Sequence, residues 1–385
     1  MNTHKLKIGI IQQAPDIGGA EIYLSLLIEN FSKTRHEIFF ASNNKKFAES
    51  LEKFCVSRYG IPVILDVIGN LKGLIKSTFF FPFALVYYFR LLMNFKRKSV
   101  DVILMSGFSE KMLVTFVSVF FRIPIVWIEY SPLETVFRRN FYIPKVIYGL
   151  LKNIPKVIIV PTQNTKQSLV EHARVIPAKI RVIPCGVTIL NIPTSRETLF
   201  KDDKKPFVVG NVSRLTREKG QDVLIRAAPL VLKKNPNTRF LLVGDGPDKI
   251  FYEQIVKKLE LVDKFTITGY VGSVSSYYKQ MDLFVFPTVW ELEGFGLVLV
   301  EAMSRKIPVI ASKLGPVPEI VQDKVSGILI KPGSKEELAY AINYLIENKG
   351  TRDQLAREGQ RRARKLYDIN RISKEVIKVL ENAAL

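Results

Sequence analysis

The chain has 385 residues, 47% hydrophobic and 24% charged, enough apolar material for two ordinary cores rather than one. Its two cysteines, Cys55 and Cys185, have no C-x-x-C spacing and its three histidines, His4, His36 and His172, are scattered, which argues against a disulfide scaffold or a local zinc site. The net charge of +21 divides as +13 over residues 1–190 and +8 over the remainder. That excess suits an anionic membrane or a phosphorylated substrate, or serves solubility alone. With no zinc-finger spacing, RNP-type aromatic motif or clear helix-turn-helix, nucleic acid is not the expected partner.

From the start, MNTHKLKIGIIQQ enters an apolar strand without the long apolar region of a signal peptide, so a cytoplasmic location is expected. Strands are predicted at Lys5–Ile11, Glu37–Ala41, Val100–Met105, Ile123–Glu129, Val157–Val160 and Ile180–Ile183. A second series follows at Phe207–Val212, Arg239–Val243, Phe265–Thr268, Leu283–Phe286, Pro308–Ala311 and Gly327–Ile330. Helical-period stretches such as Gly220–Leu232 and Lys335–Glu347 lie between them, the alternation of parallel α/β layers. The expected fold is two Rossmann-like doubly wound domains facing each other across a cleft. Residues 1–190 form the first and 206–366 the second, with a polar linker at 191–205. Residues 367–385, amphipathic over most of their length, are expected to cross back to the first domain.

Two stretches depart from this pattern. STFFFPFALVYYFRLLMNF, Ser77–Phe95, is followed by KRK; Pro82 and Arg90 interrupt it, so it falls short of a clean span of ~20 apolar residues. In Val136–Lys156, Arg138, Arg139, Lys145, Lys152 and Lys156 alternate with Phe, Tyr, Ile and Leu. Both read either as membrane-interface segments or as core helices with solvated basic flanks.

The chemistry concentrates in the second half. Glu293-Gly294-Phe295-Gly296-Leu297-Val-Leu-Val-Glu301 places two carboxylates with seven residues between them, after an apolar strand and at a predicted helix start. The glycines permit close backbone approach to a ligand. A helix starting near Phe295 aims unpaired N–H groups and its positive dipole end at an anion. Glu301, six positions on, lies ~9 Å along the axis, within reach of a ribose when phosphate occupies the helix mouth. A second element, Gly210-Asn-Val-Ser-Arg214-Leu-Thr-Arg-Glu-Lys219-Gly220, supplies two cations between a strand and a helix. Arg offers a planar fork and Lys a point charge, a pair suited to a diphosphate and to the charge that develops as it leaves. Gly18-Gly19-Ala20-Glu21 taken alone reads as an ordinary tight strand-to-helix turn, and Leu242-Val-Gly244-Asp-Gly-Pro247 reads equally as loop structure or ligand contact. G-x-G-x-x-G and G-x-x-x-x-G-K-[ST] are absent.

Together with Cys185-Gly186-Val187, Gly269-Tyr270-Val271 and Ile310-Ala311-Ser312…Pro318-Glu319, these motifs resemble retaining glycosyltransferases of the GT-B fold, specifically glycosyltransferase family 4. The resemblance is dense from Gly210 to Leu345 and fainter over Lys5–Val187. It implies that Arg214 and Lys219 hold the diphosphate of a nucleotide-sugar donor and that backbone N–H groups of Phe295, Gly296 and Leu297 assist. It further implies that Glu301 binds the ribose, Glu293 a hydroxyl of the transferred sugar, and main chain near Tyr270 and Val271 the base. Gly18 and Gly19 close over the donor from the first domain. Transfer with retention, no metal or cofactor, and a saccharide or lipid-linked acceptor are the implied chemistry. Where many members carry a histidine near the sugar, this strand runs on as Trp127-Ile-Glu129-Tyr130-Ser-Pro132, so Tyr130 or Glu129 becomes the candidate there. An epimerase on the same fold, or a donor-binding subunit without turnover, are the alternative readings.

Overall fold

Runs such as VILM, IVWI and LFVF are buried along their whole length, the mark of parallel strands covered on both faces. The computed structural model describes residues 5–14, 17–62, 66, 71–189 and 205–385. It divides into two compact units, Met1–Gly186 with Ile369–Leu385, and Val187–Asp368. Of the 191–205 stretch, residues 191–204 lie outside the described residues.

The first unit holds seven strands: β1 Lys7–Gln12, β2 Glu37–Ser42, β3 Ser57–Gly60, β4 Val102–Met105, β5 Ile125–Ile128, β6 Val157–Val160 and β7 Ile180–Val182. They pair in the order β3-β2-β1-β4-β5-β6-β7, all parallel, with Ile10 opposite both Phe40 and Leu104. The second unit holds β8 Phe207–Val212, β9 Thr238–Val243, β10 Phe265–Ile267, β11 Leu283–Phe286, β12 Val309–Ser312 and β13 Ile328–Ile330. Their order is β10-β9-β8-β11-β12-β13, again parallel throughout. In both sheets the first strand of the unit sits between the second and a later one, so the chain reverses direction across the sheet at β1/β4 and at β8/β11. Ligands of open α/β sheets bind beyond the carboxyl ends of the strands at such a reversal.

Twelve of these strands coincide with the predicted ones to within two residues at each end. The exception is β3, whose SRYG carries no apolar run; it is an edge strand with alternating exposure, and Phe39–Ser42 of β2 supply its pairing. Pro82 and Arg90 do not break the aromatic stretch, which lies in one helix, Leu71–Arg97. The ring of Pro82 removes one donor from a 27-residue ladder, and Ala84, Tyr88, Leu91, Leu92 and Phe95 anchor the helix against the sheet. The second basic stretch is not one helix. It is divided between helices Glu134–Arg138 and Ile143–Leu151 by Asn140, Phe141 and Tyr142, all at positive φ.

On one face of the seven-stranded sheet, Ile11, Ile103, Trp127 and Ile158 pack with the helices Leu71–Arg97, Phe108–Ser118 and Ile143–Leu151. The C-terminal helix, Ile369–Ala384, packs on the helix Gly19–Ser32 and on β4 and β5. Its return is tight: a Cβ on Gly186 would lie 2.8 Å from the Ile369 Cα.

Candidate active site

The cation-bearing loop follows β8, and the Glu293 segment follows β11, its neighbour in the sheet. Topology alone therefore brings two motifs separated by more than seventy residues to the same end of the second sheet. The loop is held by buried polar groups. Gln221 donates from Nε2 to the Ser213 hydroxyl at 2.7 Å and to the Arg214 carbonyl at 2.8 Å. Thr288 donates to the Glu218 carbonyl at 3.0 Å, and the Val289 N–H reaches the same oxygen at 3.0 Å. From the other side, the glycine turn after β9 grips it. Leu215 N–H donates to the Asp245 carbonyl at 2.9 Å, Asp248 N–H donates to the Leu215 carbonyl at 3.1 Å, and Arg217 bonds the Asp248 carboxylate through its backbone N–H and Nε.

Two glycines in this assembly have no substitute. Gly220 has φ +68°, and a Cβ there would meet the Pro287 carbonyl oxygen at 2.0 Å. Gly244 has φ +140°, and its Cβ would lie 2.1 Å from the Ser213 carbonyl oxygen. Both conformations are left to glycine, and both approaches press the cation loop against a neighbouring strand end. Gly244 thus serves as a packing point of the loop.

Lys219 Nζ lies 2.7 Å from Glu293 Oε2 and 5.3 Å from the centre of the Trp290 ring. The sequence singled out both partners without linking them to each other. Glu293 is only 7% exposed, so its carboxylate depends on that ammonium and on Thr288, whose hydroxyl is 3.5 Å away. Arg214 differs: it is exposed, and its guanidinium makes no ion pair or hydrogen bond among the described residues. Arg217, by contrast, is engaged with Asp248 and lies over the Phe251 ring, 3.2 Å from its centroid. One of three clustered cations is left unpaired, one is paired to a carboxylate of the site, and one fixes the loop.

Beyond Glu293, Gly294 continues the turn and Phe295 is buried, its ring edge-on to Tyr367 at 5.7 Å. The helix begins at Leu297, two residues later than expected, because Gly296 takes the left-handed cap conformation at φ 81°, ψ 52°. The N–H groups of Phe295, Gly296 and Leu297 donate to no acceptor among the described residues. Glu301, on the helix Leu297–Ser304, receives the Tyr278 hydroxyl at Oε2, 2.8 Å away. Burial pushes the Glu301 pKa up, against the Tyr278 hydrogen bond and the nearby Arg305 charge. Tyr270 is exposed and Val271 partly so, beside Gly269 at φ +72°.

In the first unit, Gly18 caps the helix Gly19–Ser32, and its N–H donates to Glu21 Oε2 at 2.9 Å. Glu21 also accepts from Gln12 Nε2 at 3.0 Å. Glu129 does not lie open to a ligand: it is 3% exposed, with its Oε1 2.6 Å from Lys111 Nζ. A buried lysine in the helix Phe108–Ser118 demands a carboxylate partner, and Glu129, the residue just after β5, supplies it. Tyr130 packs edge-on against Tyr23 with ring centres 6.0 Å apart, and its hydroxyl, beside Ser106, is buried. Sequence reasoning missed Gln221, Thr288, Asp248 and Tyr278, none of which falls in a motif; each is a polar residue whose burial or bonding only the fold creates.

The two motifs thus meet at the carboxyl end of a Rossmann-like sheet, and comparison with known proteins places the fold and the family. Residues 191–362 match the model for glycosyl transferases group 1, and residues 17–189 match the model for glycosyltransferase family 4. An uncharacterized glycosyltransferase of Methanocaldococcus jannaschii is 30% identical over 243 residues, 57% of this chain and 58% of that protein. The phosphatidylinositol N-acetylglucosaminyltransferase GPI3 subunit of Saccharomyces cerevisiae is 25% identical over 249 residues, 63% of this chain and 54% of that one. The chain thus spans little more than half the length of these curated relatives. Among solved structures, Anabaena HepE in complex with UDP superposes with a TM-score of 0.81 at 23% identity, covering 98% of this chain and 100% of that one, and is also known in complex with UDP-glucose. The chain belongs to the glycosyltransferases of the GT-B fold.

Proposed function

We infer that the protein transfers a sugar, with retention of anomeric configuration, from a nucleoside-diphosphate sugar to a saccharide or lipid-linked acceptor. The observation that carries this reading is the Lys219–Glu293 contact at the mouth of the Leu297–Ser304 helix, with Arg214 unpaired on the same short loop. A diphosphate competes for Lys219, draws in Arg214 and accepts from the Phe295–Leu297 amides. Released from the ammonium, the Glu293 carboxylate takes a sugar hydroxyl. Glu301 keeps one oxygen oriented by Tyr278 and offers the other to the ribose. Main chain at Tyr270 and Val271 meets the base.

In the chemical step, the bond from the anomeric carbon to the diphosphate breaks while the acceptor oxygen bonds from the same face. The electron pair leaves with the nucleoside diphosphate, whose departing oxygen takes the proton of the acceptor hydroxyl, and Arg214 and Lys219 stabilise the charge that develops there. Two fixed cations and three amides supply what a divalent ion supplies elsewhere, so the reaction is metal-independent. A role in cell-surface polysaccharide or glycolipid synthesis, on the cytoplasmic side of a membrane, fits a basic first unit. HepE, which holds UDP and UDP-glucose, and the phosphatidylinositol-modifying relative support donor and acceptor classes respectively.

The test is incubation with a panel of nucleoside-diphosphate sugars, with and without membrane extract, in excess chelator, with the product anomer assigned by NMR. Transfer with retention is expected. Epimerised donor without acceptor, or binding without product, refutes it.

A further inference from the structure

The helix Leu71–Arg97 has an inner and an outer face of opposite character. Ser77, Ala84, Tyr88, Leu91, Leu92 and Phe95 are buried within the first unit. On the outside, positions 72, 76, 79, 83, 86, 90 and 97 recur at three, four or seven residues and so share one stripe. It reads Lys72, Lys76, Phe79, Phe83, Val86, Arg90, Arg97: an apolar centre with cations at both ends, every residue exposed, Phe79 by 72% and Phe83 by 64%.

The stripe continues onto the neighbouring helix Phe108–Ser118 and the residues that follow it. Phe89, on its flank, contacts Phe121 with ring centres 4.9 Å apart, and exposed Phe116, Val119 and Phe120 lie at the end of the helix Phe108–Ser118. No Asp or Glu occurs from residue 71 to 100 or from 135 to 170. Lys72, Lys76, Arg90, Arg97 and Arg122 form no ion pair with the described residues. An exposed aromatic row framed by unpaired cations is too apolar for water alone and repels another cationic surface, a second copy of this chain included.

By length and composition this helix qualifies as a membrane span. Its inner face, packed on the sheet, excludes that arrangement: residues built into a protein core are not surrounded by lipid. We propose that the first unit docks on an anionic lipid surface through the outer face of the helix Leu71–Arg97, with Phe79, Phe83 and Val86 in the acyl boundary and Lys72, Lys76, Arg90 and Arg97 at the headgroups. The helix lies in the interface plane, the geometry in which aromatic rings enter the boundary and long basic side chains reach back to phosphate. The proposal deepens the lipid-linked acceptor reading above but uses no residue of the donor site.

Vesicle co-sedimentation of the full chain tests it, with phosphatidylcholine vesicles compared with vesicles that also contain phosphatidylglycerol. Binding to the anionic vesicles is expected and declines with added salt. Phe79→Ser/Phe83→Ser weakens it by at least about tenfold, since each ring loses its apolar burial. Lys72→Gln/Lys76→Gln/Arg90→Gln removes the preference for anionic lipid. Thermal stability and nucleoside-diphosphate binding stay unchanged in both variants, so failure of the docking and failure of the donor reading show in different measurements. Equal sedimentation of wild type and variants, or loss of a dimer in Phe79→Ser/Phe83→Ser with vesicle binding intact, overturns the proposal.

Discussion

Lys219 Nζ and Glu293 Oε2 stand 2.7 Å apart, each drawn from a different conspicuous motif of the second unit. In the donor-binding role proposed above the pair acts as a closed switch: the carboxylate holds the ammonium until a diphosphate competes for it, and is itself released when one does. Their side chains are 19% and 9% exposed, so solvent screens the attraction only in part.

Lys219→Ala is therefore expected to do two separable things. It removes charge stabilisation at the leaving diphosphate, lowering kcat by about 10²–10³-fold. It also strands a nearly buried carboxylate, costing on the order of 1–3 kcal/mol of stability. Adding Glu293→Gln should restore the urea midpoint without restoring turnover. Recovery of both together would mean that Lys219 has only a structural task.

Arg214→Ala offers the cleaner comparison. An exposed, unpaired guanidinium contributes little to folding, within about 0.5 kcal/mol. A wild-type melting temperature with a rate lowered by about 10²-fold or more is expected from calorimetry and kinetics on the same preparation.

Gly220→Ala places a methyl group 2.0 Å from the Pro287 carbonyl oxygen at a φ of +68°. The strain and the forced shift of the cation loop together cost about 2–4 kcal/mol by denaturant titration. Retained stability would show that the loop has room to move.

Much of this was legible beforehand. The inner strands announced themselves because parallel strands buried on both faces are short continuous apolar runs; the edge strands β7, β10 and β13 are partly exposed but keep apolar residues at both ends, whereas β3, an edge strand reading SRYG, has no apolar run. The two motifs of the second unit were visible as spacing, but their contact was not, since it depends on β8 and β11 being neighbours in the sheet. Glu129 looked available because its position after a strand resembles a site position; its pairing with Lys111 is a property of the packed helix Phe108–Ser118. The Leu71–Arg97 helix shows the same limit, because nothing local reveals that burial of Tyr88 and Phe95 outweighs the loss at Pro82.

Glu110 gives a pH prediction for the first unit. It is 1% exposed, accepts the Gln13 N–H at 3.3 Å, and burial pushes its pKa up to about 7. Between the ordinary carboxylate value of 4.5 and about 7 the folded chain binds the extra proton, so this group's contribution to stability falls as pH rises through that window and is flat above it. Glu110→Gln should remove that fall, leaving the variant more stable than wild type at pH ~8 by on the order of 2–3 kcal/mol. Parallel stability curves for the two proteins would contradict this.

The most direct test of the donor site is calorimetric titration of nucleoside diphosphates into the wild type, Arg214→Ala, and Lys219→Ala/Glu293→Gln. One base-selective nucleotide is expected to bind well to the wild type and at least about tenfold more weakly to each variant, with folding intact. Undiminished affinity in both variants would contradict it.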